Sequence, residues 1–450
     1  MDQAGFIAGI DFGTSKIVGV LGRKNEQGVI TILASESIPA DTCMKYGVIY
    51  NIDEAAGKVK KLINLLENKV GKKIGKTYVS ISGRSLRAID HMETKVLDEE
   101  TPVTFAMLDE MEQRAKQSKP EFMTNYGVIA PEYFLDGQPQ DDPIDKPASS
   151  IEVRYRLITG RPNIKNNIVK VLTEKAGIPI AGFIVGPVSS AILVLDEADR
   201  QIGCALVEFG AGTTTLSIYK NGLLKFLTVI PFGGRTITKD IQALGFVQEA
   251  AESYKIRYGR LGKRKDKTTH GVVNSDVDVK ELNKVIQLRQ DEIIFNVINQ
   301  IKESGYADQL EAGIIMIGGA SQLAGMSEYL AEKSELPVKR GTVKRVYINN
   351  AAELAQNPAY TQSLGILLFA NENCEKKEDP KPIVVEPEPE AKQEVVQEPV
   401  QYQHEEPVKS HKKEKKKDGR QRSIFDFFEK MQNFGGTMFT EEDDDEDKEK

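Results

Sequence analysis

Apolar and polar positions alternate along the first 370 residues in segments typical of strands and helices, and one strand pattern occurs twice. Residues 6–21 read FIAGIDFGTSKIVGVL, and residues 204–219 read CALVEFGAGTTTLSIY. In each segment an apolar strand ends at an acidic residue and Phe-Gly, and a small polar turn leads into a second apolar strand. A third strand follows in both cases, at residues 29–36 and 223–230. The repetition predicts two β-meanders that belong to duplicated halves of one fold.

Apolar residues recur at helical spacing between and after these meanders. The segments predicted as helices are residues 53–69, 163–176, 187–199, 236–244, 247–258 and 279–304. A last strand at residues 313–317 runs into a glycine-rich turn and a helix from about Met326. Strands that alternate with helices predict an α/β protein, and 450 residues are enough for more than one domain.

A different kind of sequence interrupts the first half between residues 84 and 160. Strands are predicted at residues 78–82, 92–96 and 151–159, with a helix at 105–116 and a Pro- and Asp-rich loop at 136–147. This segment therefore predicts an inserted domain. A second insertion is predicted in the other half, at roughly residues 238–302.

The composition changes near Asn371, and the last part of the chain predicts a tethered helix. Residues 376–417 mix Pro, Glu, Lys, Val and Gln, which is typical of a semi-extended linker. Ser423 is a good N-cap for a following helix. An orphan apolar helical face on a linker is typical of a helix that lies in a membrane interface, with a protein partner as the alternative. The residues on this face are Ile424, Phe425, Phe427, Phe428, Met431 and Phe434.

The charged residues on either side of this helix have opposite expected effects on binding to an anionic membrane. The basic run at residues 412–422 suits anionic lipid headgroups. Residues 441–450 contain eight acids and two lysines, which an anionic surface repels, and we assign this acidic tail no role.

Composition argues against several classes of function. The formal net charge of −7 gives no overall footprint for nucleic acid, and the basic loop at residues 260–267 lacks interleaved aromatics. Three widely spaced cysteines favour a reducing cytosol over a disulfide framework. There is no N-terminal signal pattern and no run of about 18 apolar residues, so the expectation is a cytoplasmic protein that does not span a bilayer.

The repeated turns carry the candidate chemistry. Phosphate oxygens need converging N–H donors, which glycine-rich turns supply because the backbone approaches closely. Asp11 and Glu208 end the two equivalent strands, where paired carboxylates suit a hydrated Mg²⁺. A third glycine-rich turn at residues 318–320 suits a base or ribose. The predicted ATP-binding residues are Asp11, Gly13, Thr14, Ser15, Lys16, Glu208, Gly210, Gly212, Thr213, Thr214, Gly318, Gly319 and Ser321, with Asp11 and Glu208 also holding Mg²⁺ through water.

These motifs resemble those of the ATPase superfamily that contains sugar kinases, heat-shock chaperones and actin. Its two phosphate motifs are similar to GIDFGTSK and VEFGAGTTTL here, and its adenosine motif is similar to IIMIGGASQLAGM. Within the superfamily the chain resembles the FtsA family of bacterial cell-division proteins. The supporting stretches are VIPFGGRTITKDI, ESYKIRYG, YVSISGRSLRAI and the C-terminal helix.

The resemblance implies an actin-like duplicated ATPase fold with two lobes and four domains. The implied bounds are 1–84 and 160–197 for domain 1A, 85–159 for the inserted domain 1C, 198–237 and 303–370 for domain 2A, and 238–302 for domain 2B. A disordered linker at 371–419, an amphipathic helix at 420–439 and an acidic tail at 440–450 complete the chain.

The resemblance also implies a function. A protein of this family polymerises on the inner face of the cytoplasmic membrane and tethers the FtsZ ring there through its C-terminal helix. The implied partners are anionic lipids, other copies of the chain, the C-terminal peptide of FtsZ near Arg289, and later division proteins on domain 1C. The implied cofactors are ATP and Mg²⁺, with Glu252 and Lys255 near the adenosine.

Two departures from the superfamily pattern bear on hydrolysis. Glu208 stands where the second motif normally has Asp. Gly186-Pro187 stands where chaperone and MreB relatives have Glu-Pro, whose glutamate helps to position the attacking water. Slow or negligible ATP hydrolysis is therefore predicted, and no catalytic residue is assigned.

Other functions remain open on the residues alone. A pilus-assembly actin homologue has a similar core, and so does a sugar or small-metabolite kinase, although no base for such a kinase stands out. A chaperone would need a β-rich peptide-binding domain after residue 370, where the linker lies instead. The amphipathic C-terminal helix favours a resemblance to the FtsA family over a resemblance to pilus-assembly proteins.

Overall fold

The computed structural model describes residues 5–262 and 277–376. The chain enters through an antiparallel meander and continues into a hairpin, a helix and a further strand. These elements are β1 (Ile7–Phe12), β2 (Lys16–Lys24), β3 (Ile30–Pro39), β4 (Met44–Lys45), β5 (Val48–Ile49), α1 (Ile52–Val70) and β6 (Thr77–Ile81). Helix α1 begins after Asn51, whose side chain accepts the N–H of Glu54, and ends at Gly71 in the left-handed region.

The inserted segment forms its own sheet and helix. Its elements are β7 (Arg87–Pro102), α2 (Phe105–Gln117), β8 (Thr124–Leu135), β9 (Gln138–Gln140) and β10 (Pro147–Gly160). The four strands pair antiparallel in the order β7-β10-β8-β9, and Met111 and Ala115 of α2 pack into their core. The predicted strand at residues 78–82 is β6, which lies outside this sheet.

Strand β8 is a finding that the sequence pattern did not predict. Its intermediate and buried positions do not alternate cleanly. Ala130 has a positive φ of 54°, and the pairing register with β10 shifts between Arg154 and Arg156. This irregularity removes the period-two pattern by which a strand is recognised.

The first lobe is completed after the insertion. Its elements are α3 (Asn163–Val169), a π-helical continuation (Lys170–Ala176), β11 (Ile180–Val185), α4 (Gly186–Val194) and α5 (Glu197–Ile202). The prediction of one helix over residues 187–199 was wrong, because Leu195 and Asp196 adopt extended backbone and divide it into α4 and α5.

The second lobe repeats the meander and then becomes helical before the chain returns to the first lobe. Its elements are β12 (Cys204–Phe209), β13 (Thr214–Lys220), β14 (Leu223–Ile230), α6 (Gly234–Gln242), α7 (Gln248–Tyr258), α8 (Val279–Glu303), β15 (Ile314–Ile317), α9 (Met326–Ser334) and β16 (Val338–Arg340). The last elements are β17 (Ile348–Asn349), α10 (Ala352–Gln356) and α11 (Thr361–Phe369).

The two large sheets confirm the predicted duplication. The first has the order β11-β6-β1-β2-β3-β17, and the second has the order β14-β13-β12-β15-β16. Strands β3-β2-β1-β6-β11 therefore match β14-β13-β12-β15-β16 in order. They also match in direction, since β1 and β12 each pair antiparallel on one side and parallel on the other. The fold is an actin-like α/β architecture with an inserted domain. No helix of the described residues is long and apolar enough to cross a bilayer.

The chain remains packed on the first lobe for six residues beyond Ala370. The Tyr78 hydroxyl accepts the N–H groups of Asn371 and Glu372, at 3.2 and 3.1 Å. The Cys374 N–H donates to the Phe6 carbonyl at 2.7 Å. This attachment fixes the point from which the predicted linker continues.

Tyr78→Phe should loosen this attachment. The substitution leaves two N–H groups without their acceptor, so the free energy of unfolding should fall by about 1–2 kcal/mol. Hydrogen exchange at the amides of Asn371 and Glu372 should become faster. Tyr50→Phe is the matched control, because the exposed Tyr50 hydroxyl donates to the Thr42 carbonyl elsewhere. Unchanged exchange at both amides would show that Tyr78 does not hold the segment.

Candidate functional site

The two phosphate-type turns have the same backbone construction. A β-carbon on Gly13 would lie 2.8 Å from the Lys16 carbonyl oxygen, and one on Gly210 would lie 2.8 Å from that of Thr213. Each turn thus folds back on the residue three positions later, and a side chain at its first position would force the loop open. The Gly210 N–H also donates to the Thr213 carbonyl at 2.9 Å.

The two turns pack against each other and against neighbouring loops. A β-carbon on Gly212 would lie 2.6 Å from the Thr14 side chain, so the turns meet closely at this point. Thr14 accepts the Gly47 N–H at 2.9 Å. The start of α6 holds the second turn, because the Arg235 N–H donates to the Ala211 carbonyl at 2.7 Å.

A cavity of about 920 Å³ opens beside these turns. Most of the predicted ATP-binding residues line it, and they come from both lobes. They are Asp11, Gly13, Thr14, Ser15, Lys16, Glu208, Gly210, Thr213, Glu252, Lys255, Gly318 and Gly319.

Three predicted residues shape the turns and do not line the cavity. Gly212 packs on Thr14. The Thr214 hydroxyl donates to the Phe232 carbonyl at 2.9 Å, and the Ser321 hydroxyl donates to the Gly318 carbonyl at 2.7 Å. Both side chains are buried.

Asp11 and Glu208 face the cavity from equivalent strand ends. Asp11 is buried and accepts hydrogen bonds from Ser80 at 2.5 Å, Gln362 at 2.7 Å and Ser363 at 3.2 Å. Burial raises the pKa of Asp11 above its usual value, although these three hydrogen bonds act in the opposite direction. Burial and the neighbouring Asp11 charge raise the pKa of the half-buried Glu208 to about 8. A cation between the two groups would favour both ionised forms, so the donor set fits a hydrated divalent metal ion.

Another part of the cavity wall is built around Lys255. Its ammonium donates to the Gly234 carbonyl at 2.9 Å, the Thr238 hydroxyl at 2.8 Å and Glu252 at 2.7 Å. Burial lowers the pKa of Lys255. Gly318 has a positive φ of 88°, and a β-carbon there would lie 2.4 Å from the Phe209 carbonyl oxygen, next to the second turn.

Several residues that the motifs did not indicate take part in the site. Ser80, Gln362 and Ser363 hold Asp11, and the Lys16 ammonium lies 3.3 Å from the centroid of the Tyr360 ring. Ser80 lay within a stretch used for the family resemblance. Gln362, Ser363 and Tyr360 gave no local signal, because only the packing of α11 and the turn before it brings them to β1.

Two other groups of predicted residues are not among the described residues that line the cavity. Arg289 of α8 does not line it, and its guanidinium pairs with Asp240, with Nη2 3.1 Å from Oδ1, and also with Glu292. The residues predicted to contact a membrane lie outside the described part of the chain. They are Ile424, Phe425, Phe427, Phe428, Met431 and Phe434.

Comparison with known proteins agrees with this architecture. The family model for cell division protein FtsA matches residues 205–365. The cell division protein FtsA of Porphyromonas gingivalis is 27% identical over 381 residues, which cover 81% of this chain and 78% of the relative. The FtsA of Pseudomonas aeruginosa is 28% identical over 375 residues, which cover 81% and 88%. A solved PilM–PilN type IV pilus biogenesis complex has a TM-score of 0.56 at 16% identity, covering 82% of this chain and 98% of that chain.

The duplicated sheets, with a cavity beside their equivalent turns, define an actin-like fold. The solved pilus complex supports the fold alone. Within that class, the chain is similar over most of its length to the FtsA family of bacterial cell-division proteins.

Glu208 should give the protein a measurable pH dependence of stability. Above pH ~4.3 the unfolded glutamate loses its proton, whereas the folded one keeps it up to about pH 8. The free energy of unfolding should therefore fall as pH rises through this window, by at most about 1.4 kcal/mol per pH unit for one proton.

Urea unfolding in buffers without divalent cations measures this slope. Glu208→Gln should flatten it, since glutamine does not titrate. Glu353→Gln, at an exposed position of α10, is the matched control and should keep the wild-type slope. Equal slopes in the wild type and in Glu208→Gln would contradict the raised pKa.

Proposed function

We propose that the chain binds ATP with Mg²⁺ in the 920 Å³ cavity. The observation that carries this proposal is the pair of equivalent glycine turns with one carboxylate behind each. Amides of residues 13–15 and 211–213 would receive the phosphates, and Asp11 and Glu208 would hold Mg²⁺ through water. Lys255, Glu252 and the turn at Gly318 and Gly319 would lie near the nucleoside.

The four-domain organisation of the family is part of this proposal. The separate sheet and core of residues 85–159 support an inserted domain 1C. Domain 1A would be 1–84 with 160–197, and domain 2A would be 198–237 with 303–370. Helices α6 to α8 support a helical domain 2B over residues 238–302.

The proposed cellular role is that of a membrane tether in division. In this proposal the chain polymerises on the inner face of the cytoplasmic membrane and anchors the FtsZ ring there. Similarity to FtsA cell-division proteins supports a part in cell division. The amphipathic pattern of residues 424–434 and the preceding basic run support the anchor.

Two protein contacts complete the proposed role. The C-terminal peptide of FtsZ would bind domain 2B at α8, where Leu288 and Phe295 are exposed near Arg289. Arg289 is bound to Asp240, so an acidic peptide would have to compete for the same guanidinium. Later division proteins would bind domain 1C.

A pilus-assembly role is the second candidate. A solved structure of the same fold is a type IV pilus biogenesis complex, which is why this candidate is kept, although the likeness itself supports only the fold. The predicted membrane helix is the feature that separates the two roles. The third candidate, a small-metabolite kinase, has no supporting observation beyond the shared cavity.

Gly210→Ala should abolish ATP binding. Its β-carbon would lie 2.8 Å from a backbone oxygen, so the second turn must open and its amides lose their convergence. Isothermal titration with Mg²⁺ and ATP should detect a loss of at least about tenfold in affinity, since about 1.4 kcal/mol corresponds to tenfold. Gly57→Ala is the matched control, because its β-carbon meets nothing within 4 Å on α1. Unchanged affinity in Gly210→Ala would remove the second turn from the proposed site.

Co-sedimentation with anionic liposomes tests the membrane anchor. The full chain with Mg²⁺ and ATP should pellet with lipid, and a chain truncated after Lys376 should not. Phe428→Glu should release the full chain, because a charge replaces an apolar contact with the interface. Asn433→Glu adds the same charge to the opposite half of the predicted helix and should leave binding intact. Full-length protein that stays in the supernatant would favour the pilus role or a protein partner for the helix.

A further inference from the structure

The amide of Gln362 occupies the space that a side chain at position 186 would fill. A β-carbon on Gly186 would lie 2.5 Å from Gln362 Cδ, 2.7 Å from Oε1 and 2.8 Å from Nε2. Gln362 belongs to α11 and Gly186 to the start of α4, so the two residues come from different elements. The Gln362 amide can therefore occupy this position only because residue 186 is a glycine.

The orientation of the amide is set by its neighbours. Nε2 donates to Asp11 Oδ1 at 2.7 Å and lies 3.4 Å from the Ser80 hydroxyl. Because an ionised carboxylate only accepts hydrogen bonds, the nitrogen faces Asp11 and the carbonyl oxygen faces away from it. Among the described residues, no hydrogen bond to Oε1 is present, and Gln362 lines the cavity.

The backbone that carries Gln362 is also fixed. Helix α11 packs against α4 so closely that a β-carbon on Gly365 would lie 2.6 Å from the Ser189 hydroxyl oxygen. The neighbouring Ser363 donates to the second Asp11 oxygen at 3.2 Å. Gln362, whose Oε1 accepts no hydrogen bond from the described residues, therefore lines the cavity beside one of the carboxylates proposed to bind Mg²⁺ and is carried by closely packed backbone, and a fixed position is what a catalytic acceptor requires.

We infer that Gln362 orients the water that attacks the γ-phosphate, in place of a side chain at position 186. This inference rests on the proposed binding of ATP in the cavity. The water oxygen forms a bond to the γ-phosphorus while the bond from phosphorus to the β,γ-bridging oxygen breaks. The bridging oxygen keeps the electron pair and leaves with ADP. One proton of the water stays on the new inorganic phosphate, and the other passes to solvent.

An amide in this role orients the attacking water but does not act as a general base. Glutamine accepts a hydrogen bond from water but does not take up a proton at ordinary pH, so it positions the nucleophile without general-base help. Orientation of this kind is used by other nucleotide hydrolases, in which a glutamine aligns the attacking water. Turnover should therefore be slow, and it should depend on Gln362 without depending on a titration of that residue.

Single-turnover phosphate release, together with equilibrium ATP binding, tests the inference. Gln362→Ala should lower the release rate by about tenfold or more while ATP affinity stays within about twofold of wild type, because orientation acts on the chemical step. Gly186→Ala should have the same effect, since its methyl group displaces the amide. The double variant Gly186→Ala/Gln362→Ala should lose no more than either single variant, because both remove the same interaction.

Moving the amide to position 186 gives the positive test. In the double variant Gly186→Gln/Gln362→Ala, the new glutamine does not overlap a side-chain amide at position 362, because that residue is now alanine. The double variant should therefore recover part of the phosphate-release rate that Gln362→Ala loses. Gln356→Ala, an exposed glutamine of α10 that does not line the cavity, is the matched control and should behave as wild type.

The outcomes separate the inference from the proposed function. Wild-type protein that does not bind ATP would overturn the proposed function itself. Wild-type protein that binds ATP and releases no phosphate would overturn the inference alone, as would an unchanged rate in Gln362→Ala. A Gln362→Ala rate that recovers fully at saturating Mg²⁺ would also overturn it, because Gln362 would then act only by holding Asp11.

Discussion

A carboxylate buried at the end of a strand must be hydrogen-bonded or neutralised, and Asp11 is such a group at the point where the two lobes meet. Three hydroxyl or amide donors hold it, and they come from β6 and α11. The burial that makes these donors necessary also raises the pKa of Asp11 and, together with the Asp11 charge, that of Glu208. A protein with this arrangement is poised to gain from a bound cation, since a cation relieves both groups at once.

The duplication explains why the two carboxylates face each other. Each ends the strand that pairs antiparallel on one side and parallel on the other, so each lies at the same place in its own sheet. The contact between Gly212 and Thr14 then brings the two turns together. The site is therefore a consequence of packing two copies of one sheet turn to turn, and the helical and inserted segments are additions at its margins.

The sequence predicted best what depends on local pattern. The two meanders, their turns and the opposed carboxylates followed from an acidic-Phe-Gly pattern that occurs twice within short stretches. Strand β8 was missed because a bulge at Ala130 hides its periodicity, and the break at Leu195 was missed because the residues on both sides fit one helix. Thr214 and Ser321 have hydroxyls suited to phosphate or ribose, yet each donates to a backbone carbonyl, Thr214 to that of Phe232 and Ser321 to that of Gly318. Whether such a hydroxyl binds a ligand or a backbone carbonyl depends on the path of the backbone, which the side-chain type does not predict.

Gln362 lay beyond sequence reasoning for a further reason. Gln362 is 351 residues from Asp11 in the sequence. Its amide can lie beside Asp11 only because Gly186, at the start of α4, has no side chain, so three separate elements have to be known together. The helix that carries Gln362 also leads out of the site. Lys24 donates to the Leu368 and Ala370 carbonyls at its end, at 2.7 and 2.9 Å, and the next residues are held by Tyr78. Because α11 is only nine residues long, two of the donors that hold Asp11, Gln362 and Ser363, lie within one short helix of the residues that attach the departing chain. Any rearrangement of the Asp11 donors therefore acts on the helix from which the predicted linker continues, without a flexible joint in between.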